Sequence, residues 1–170
     1  LLQYMHGGYI SQVESLVASR NFQMELLLQG NSKDPMAAIL YVYALLKLGH
    51  LAQLDTWTNV LLQECRWSPD SFAVRGEWLA RLGKHEEALR CFLHLPSLGI
   101  PALSDGLSIA IDRLRLYASA GEKQFGEAKI KRARAELHKM QSFAATVDFH
   151  KPIVTFTGRN PSHPDGKPLS

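Results

Sequence analysis

The clearest indication of the fold lies between Phe72 and Phe92, where the sequence reads FAVRGEWLARLGKHEEALRCF. On both sides of Gly83 its apolar residues recur every three or four positions, which is typical of the buried face of a helix. A glycine at the end of a helix can adopt the left-handed backbone that terminates it, because it has no Cβ. The stretch therefore predicts two helices joined by a tight turn at Gly83 and folded back as an antiparallel hairpin.

Similar turns are predicted on either side of this stretch. Gly49 follows the apolar helical segment before it, and Gly121 follows the segment after it. Gly49 and Gly83 are 34 positions apart, and Gly83 and Gly121 are 38 apart. A period of about 34 residues is typical of helix-turn-helix repeats, which stack so that neighbours bury each other's apolar faces. We therefore expect a series of hairpins.

Helix bounds follow from prolines in first turns, capping residues and helical periodicity. Asp34 is the expected N-cap of the helix that starts at Pro35, and Ser104 or Asp105 that of a later helix. The predicted helices are Pro35 to Leu48, Leu51 to Glu64, Ser68 to Leu82, His85 to Leu93, Ser104 to Ala120 and Gln124 to Ala145. One more hairpin is predicted within residues 9–29. The expected fold is all-α, with seven or eight helices in a domain over residues 1–147.

The C-terminal residues 148–170 differ in kind. They hold four of the eight prolines, so they cannot continue a helix. Residues 153–157 alternate weakly like a short strand, and an extended arm is predicted after them. A proline-rich arm loses little entropy when it docks, so we expect it to pack on the chain's own helices, on a partner or on a second copy. Phe156 is the predicted anchor.

Composition excludes several classes of protein. Hydrophobic residues make up 46% and charged residues 21%, which argues against a disordered chain. No apolar run reaches the roughly 18–20 residues that span a bilayer, and no signal peptide is recognisable. Two cysteines do not form a disulfide framework and favour a reducing compartment. We therefore expect an intracellular, cytoplasmic protein.

Residues 72–92 resemble a tetratricopeptide repeat. Gly76 and Leu79 fall where that family has a small and a large residue on the first helix, and Ala88 and Phe92 fall at the small and aromatic positions of the second. The copies around Gly49 and Gly121 match less well and are supported mainly by their spacing. The resemblance implies a TPR-like α-solenoid of antiparallel helical hairpins that binds other proteins.

In that family the first helix of each hairpin lines a concave face where partners bind. The resemblance places five side chains of this chain on that face: Tyr43, Lys47, Glu77, Arg81 and Arg115. This mixture suits a peptide of mixed charge, and the alternative is a solvated helix surface. The subtype that clamps a chaperone's C-terminal carboxylate uses Lys and Asn at fixed groove positions, and the matching positions here hold neither.

A second cluster of charge lies near the C-terminus. Residues 123–170 have a net charge of +5, whereas the rest of the chain has −2. The last helix carries a predicted basic patch of Lys129, Lys131, Arg132 and Arg134. This patch could bind phosphate or an acidic partner, or it could be the solvated outer face that caps a helical stack. The tail lacks the interleaved aromatic residues on which nucleic-acid bases stack.

These observations favour a binding protein over an enzyme. No residues combine a nucleophile, a base and an oxyanion site, and no spacing of His and Cys predicts a metal. We predict a non-catalytic protein–protein interaction scaffold or adaptor subunit of a larger complex, without a metal or cofactor. Its predicted partner is a protein or peptide, with self-association through the C-terminal arm as a further option. The alternative is a nucleic-acid-associated helical repeat protein that uses the basic last helix.

Overall fold

The structure is a computed structural model that describes Gln3, Met5 and residues 7–8, 10–19, 34–120 and 122–156. Its helices are α1 (Ile10–Ser19), α2 (Pro35–Leu48), α3 (Leu51–Glu64), α4 (Pro69–Arg81), α5 (His85–His94), α6 (Ser104–Ser119), α7 (Glu122–Phe125) and α8 (Glu127–Ala144). β-Pairing within these ranges consists of two isolated bridges, so the predicted all-α fold is confirmed. No helix in the described ranges is long and apolar enough to cross a membrane.

The turns predicted at Gly49 and Gly83 are confirmed, and they are built alike. Both glycines have a φ of 76°, in the left-handed region. The N–H of Gly49 donates to the carbonyl of Leu46, and the next N–H donates to the residue before Leu46. The N–H of Gly83 donates three residues back in the same way, and the next N–H five residues back. These bonds satisfy carbonyls that the helix end would leave unpaired. Gly121 lies outside the described residues.

The helices pack in the order in which they occur. α3 packs between α2 and α4, and α5 packs between α4 and α6. α8 packs along α6, and α2 and α6 both contact α4 directly. Because a two-residue turn joins α2 to α3 and a three-residue turn joins α4 to α5, these pairs are antiparallel hairpins. We call α2, α4 and α6 the first helices, and α3, α5 and α8 the second helices.

The crossing of α4 and α5 depends on a small residue, as the sequence predicts. A Cβ on Gly76 would lie 2.7 Å from Cε2 of Phe92. Phe92 and Ala88 are both fully buried at this crossing. The ring of Phe92 therefore occupies the space that any side chain at position 76 would need.

The start of α6 differs from the prediction. Its N-cap is Leu103, which makes no side-chain capping bond, so neither Ser104 nor Asp105 has that role. Instead, the N–H of Ser104 donates to the carbonyl of Pro152 over 3.0 Å. The hydroxyl of Ser104 donates to the carbonyl of Lys151 over 2.6 Å. Contacts from the C-terminal arm thus take the place of a cap.

The predicted last helix is interrupted. Gly126 has a φ of 83° and separates the short α7 from α8. Phe125 at the end of α7 is buried, and its ring meets the Tyr117 ring edge-on at a centroid distance of 5.4 Å. The interruption turns Phe125 into the core before α8 begins. Of the hairpin predicted within residues 9–29, α1 is described and the rest lies outside the described residues.

Candidate functional site

Tyr43 lies in the core, contrary to the prediction that it faces a partner. Its side chain is 1% exposed, and its hydroxyl donates to Oδ1 of Asp70 over 3.0 Å. Asp70 also accepts the N–H of Ala102 over 2.7 Å and that of Leu103 over 3.4 Å. A side chain on Gly106 would overlap the Tyr43 hydroxyl. The Tyr43–Asp70 pair therefore joins α2 and α4 to the segment that enters α6.

Burial dominates the chemistry of this pair. It raises the pKa of Asp70 to about 6, against the opposing effect of the hydrogen bonds from Ala102, Tyr43 and Leu103. Burial also raises the pKa of Tyr43 well above its usual value, and the neighbouring Asp70 carboxylate adds to that rise. Both groups are closed off from solvent, so the pair stabilises the stack and does not form an open site.

Glu77 is also buried, at 6% exposure, although the sequence places it on an open face. Arg113 of α6 binds it in a bidentate manner, through Nε at 2.6 Å and Nη2 at 2.9 Å. Arg81 donates to the same carboxylate from Nε at 2.8 Å and to the carbonyl of Leu46 from Nη1 at 2.8 Å. The Glu77 cluster, which is Glu77, Arg81 and Arg113, therefore connects all three first helices.

The two guanidinium groups set the charge state of this cluster. Burial by itself raises the pKa of Glu77, but the hydrogen bonds and charges of Arg113 and Arg81 outweigh it and hold the pKa below its usual value. The bond to Glu77 in turn raises the pKa of Arg113. Sequence reasoning missed Arg113. It lies 36 residues after Glu77, close to one repeat period, so the opposite charges at matching positions were the available signal.

The other two residues predicted on this face also have partners within the chain. Lys47 forms a 2.8 Å salt bridge with Asp105 and donates to the carbonyl of Met5 over 2.7 Å. Arg115 pairs with Asp112 of its own helix at 2.8 Å, with 59% of its side chain exposed. The face thus contains Lys47, Arg81 and Arg115 as partly exposed groups, each of which already has an acidic partner.

The predicted basic patch on α8 is divided between two sides of the helix. Lys129 pairs with Glu86 of α5 at 2.6 Å, and Nη2 of Arg132 donates to the carbonyl of Leu93 at the end of α5 over 2.9 Å. Arg134 donates to the carbonyl of Ala118 in α6 over 3.1 Å. The division follows from helix geometry, because residues three apart share a face and residues two apart do not.

Lys129 and Arg132 line an open groove between the two second helices α5 and α8, which we call the α5–α8 groove. It encloses about 350 Å³. Its lining residues are Arg90, Leu93, His94, Ala128, Lys129 and Arg132. Leu93 is buried at its base, and the other five are exposed. The His94 ring packs on Phe72 at a centroid distance of 4.6 Å. The groove therefore combines several cationic groups with a small apolar base.

A second cavity of about 280 Å³ lies beside the turn at Gly83, and Lys84, Glu86 and Glu87 give it charges of both signs. Near it, Nδ1 of His85 lies 3.3 Å from the Tyr117 hydroxyl. In the described part of the chain no three His, Cys, Asp or Glu side chains are grouped as a metal would require. With one lysine and two glutamates, this cavity is slightly acidic, unlike the α5–α8 groove.

Cys91 fits the packing role that the sequence predicts. It is half-buried on α5, and burial raises its pKa to about 11, despite the opposing charges of Arg75 and Arg90. The thiolate is the nucleophilic form of cysteine, so this thiol is unreactive at neutral pH.

The described part of the C-terminal arm docks on the chain itself, but Phe156 does not anchor it. The Phe156 ring is 51% exposed, and its residue forms an isolated antiparallel bridge with Val147. Backbone bonds hold the arm instead: the N–H of Val154 donates to the carbonyl of Ala102 over 2.8 Å, next to the Ser104 contacts. Residues 157–170 lie outside the described residues, and self-association through the arm stays a prediction.

The model of a protein family described as the Y4kD C-terminal domain matches residues 1–168. No curated protein and no solved structure matches the chain.

Proposed function

We propose that this chain, which belongs to the Y4kD C-terminal domain family, is a non-catalytic protein-interaction domain that acts as a scaffold or adaptor subunit of a larger complex. Its helical hairpins pack in series, and this supports the proposal because such stacks present long, rigid surfaces to other proteins. The tetratricopeptide-like positions at Gly76 and Phe92 form the tight crossing that the resemblance implies, which gives the same support.

The observation that carries the proposal is the contrast between two charged surfaces. On the first helices, the Glu77 cluster and the Tyr43–Asp70 pair use their polar groups to hold the helices together. In the α5–α8 groove, by contrast, exposed cationic groups surround an open cavity. Exposed polar groups beside an apolar base are typical of binding surfaces. We therefore place partner binding in this groove and not on the first-helix face.

The placement of the perturbed titratable groups favours binding over catalysis. Catalytic groups with shifted pKa values are expected to line an accessible cleft. Here Asp70 and Glu77 are buried and fully hydrogen-bonded, and Cys91 is held as a thiol. These groups support the stack.

Site-specific photo-crosslinking tests the proposal. A photoreactive amino acid at Ala128, which lines the groove, should crosslink to a partner protein in the cells that naturally express the chain. The matched control carries the same amino acid at Ala52, which is exposed on α3 and away from the groove. Crosslinks to other proteins from position 128 but not from position 52 support the proposal. If neither position gives a crosslinked protein, it is wrong.

A further inference from the structure

We infer that the α5–α8 groove binds an acidic segment of a partner protein, with carboxylates on its cationic groups and an aliphatic side chain on Leu93. This inference rests on the proposed protein-binding function and names the chemistry of the partner. Three cationic side chains, Arg90, Lys129 and Arg132, line the groove. An acidic segment is the complement of such a lining.

The cations of the groove are only partly used by the chain itself. Arg90 forms no salt bridge with any described residue. Arg132 donates one bond to the carbonyl of Leu93. Since a guanidinium has five N–H donors, that bond orients Arg132 and leaves donors for a carboxylate. Together these two arginines offer the planar forks that bind carboxylates in a bidentate manner.

Lys129 is the third cation, and its present partner can be exchanged. Its salt bridge with Glu86 is exposed, with 45% of the Lys129 side chain and 51% of the Glu86 side chain accessible. Exposed pairs of this kind contribute little to stability, because water solvates both charges when they separate. A carboxylate of the partner can therefore replace Glu86 at small cost. In the free chain, Glu86 keeps this end of the groove neutral.

The base of the groove distinguishes a peptide from a simple anion. Leu93 and Ala128 form an apolar surface between the cations, and His94 is held beside them by its contact with Phe72. An aliphatic side chain between two acidic residues would bury its surface there. The groove thus favours a segment in which Asp or Glu alternates with Leu, Ile or Val.

The positions of the basic residues on α8 also disfavour nucleic acid as the ligand. A phosphate backbone is bound by a continuous line of cations, with aromatic side chains where bases stack. Lys131 and Arg134 lie on other sides of α8, so the basic residues do not form such a line. The one aromatic ring among the described lining residues, that of His94, is already packed against Phe72.

Selection from a displayed library of random peptides tests this inference with the full 170-residue chain. We expect the chain to enrich peptides rich in Asp and Glu with interspersed aliphatic residues. The groove variant is Arg90→Glu and the matched control is Lys131→Glu, which makes the same change in net charge on an exposed residue outside the groove. In fluorescence titrations, Arg90→Glu should weaken binding of a synthetic enriched peptide at least about tenfold. Lys131→Glu should weaken it by less than about twofold.

Each other outcome overturns the inference. Enriched peptides without acidic residues, or equal losses in the two variants, show that the groove does not select an acidic segment. Tighter binding of a labelled oligothymidylate than of the acidic peptide, lost in Arg90→Glu, assigns the groove to nucleic acid. If position 128 crosslinks to a partner protein and Arg90→Glu does not weaken binding of that partner, the proposed function stands and only this inference is wrong.

Discussion

The first helices and the α5–α8 groove carry similar polar side chains in opposite settings. Glu77 is buried between Arg81 and Arg113, whereas Glu86 meets Lys129 in the open. Both are glutamates at 2.6 Å from a cation. Removing one member of the buried Glu77 cluster leaves a charge that water reaches poorly, whereas water can replace a lost partner in the exposed Glu86–Lys129 pair. The number of salt bridges therefore says little about their role, because burial decides whether a pair stabilises the fold or remains available to a partner.

The largest effect is expected in the pH dependence of stability, which arises from Asp70. Its folded pKa of about 6 lies above its ordinary value of 3.8, so the folded state binds this proton more tightly. Asp70 therefore stabilises the fold below pH 4, and this contribution is lost as the pH rises through 6. The two pKa values correspond to a change of about 3 kcal/mol.

Urea unfolding of the wild type and Asp70→Asn between pH 4 and 7 measures this contribution. The stability difference between the two proteins should change by about 2 kcal/mol over this range, because asparagine does not titrate and the unfolded-state Asp70 is already partly ionised at pH 4. The groove variant Arg90→Glu, which leaves Asp70 untouched, should keep the wild-type pH profile. Parallel profiles for the wild type and Asp70→Asn would show that Asp70 is ionised with an ordinary pKa, and so is not in the buried setting described here.

A pair of identical substitutions compares the two settings directly. Glu77→Gln leaves Arg81 and Arg113 without a counter-charge and should lower the free energy of unfolding by about 2 kcal/mol, less than for a fully buried pair because both arginines are partly exposed. Glu86→Gln should change it by about 0.3 kcal/mol. Urea denaturation at pH 7 measures both. Equal effects would remove the distinction between the two regions.

Glu77 affects acid stability with the opposite sign from Asp70. Because the pKa of Glu77 is held below its usual value, its contribution is present above the unfolded pKa and is lost as the pH falls through the folded pKa. Acidification therefore weakens the Glu77 cluster, whereas protonation of Asp70 removes the cost of burying its charge. The fold carries two buried carboxylates whose responses to pH oppose each other.

A smaller effect on stability is expected at Arg132, which lines the α5–α8 groove and also bonds to the end of α5. Arg132→Gln shortens the side chain and removes the bond to the carbonyl of Leu93 at the end of α5, so it should lower the free energy of unfolding by about 1 kcal/mol. Arg134→Gln, which removes the equivalent bond to Ala118 at the end of α6, is the control for loss of such a bond. We expect similar losses in thermal unfolding but weaker peptide binding only for Arg132→Gln. Weaker binding in both variants would contradict the placement of the groove.

The features that the sequence predicted were those with local causes. Gly49 and Gly83 end helices because their left-handed backbone disfavours a residue with a Cβ, which depends only on the residue at that position. Asp34 caps α2 through a bond from the N–H of Ala37, three residues away. The burial of Tyr43 and the pairing of Glu77 with Arg113 depend on how separate helices pack. Helical periodicity describes a single helix, so it gave the face of each residue without the neighbour opposite it.

The smallest effect on stability is expected at Arg90. Substitution of this residue compares the α5–α8 groove with the first helices most directly. Arg90 makes no described salt bridge, so Arg90→Gln should change the free energy of unfolding by less than about 0.5 kcal/mol. In the same protein, binding of the acidic peptide should weaken several-fold, and more at low salt than at high salt, because screening shortens the reach of exposed charges. Glu77→Gln should show the reverse, with lower stability and unchanged peptide affinity. A loss of stability in Arg90→Gln as large as that in Glu77→Gln would mean that Arg90 holds the fold together, and the groove would then be a structural contact between α5 and α8.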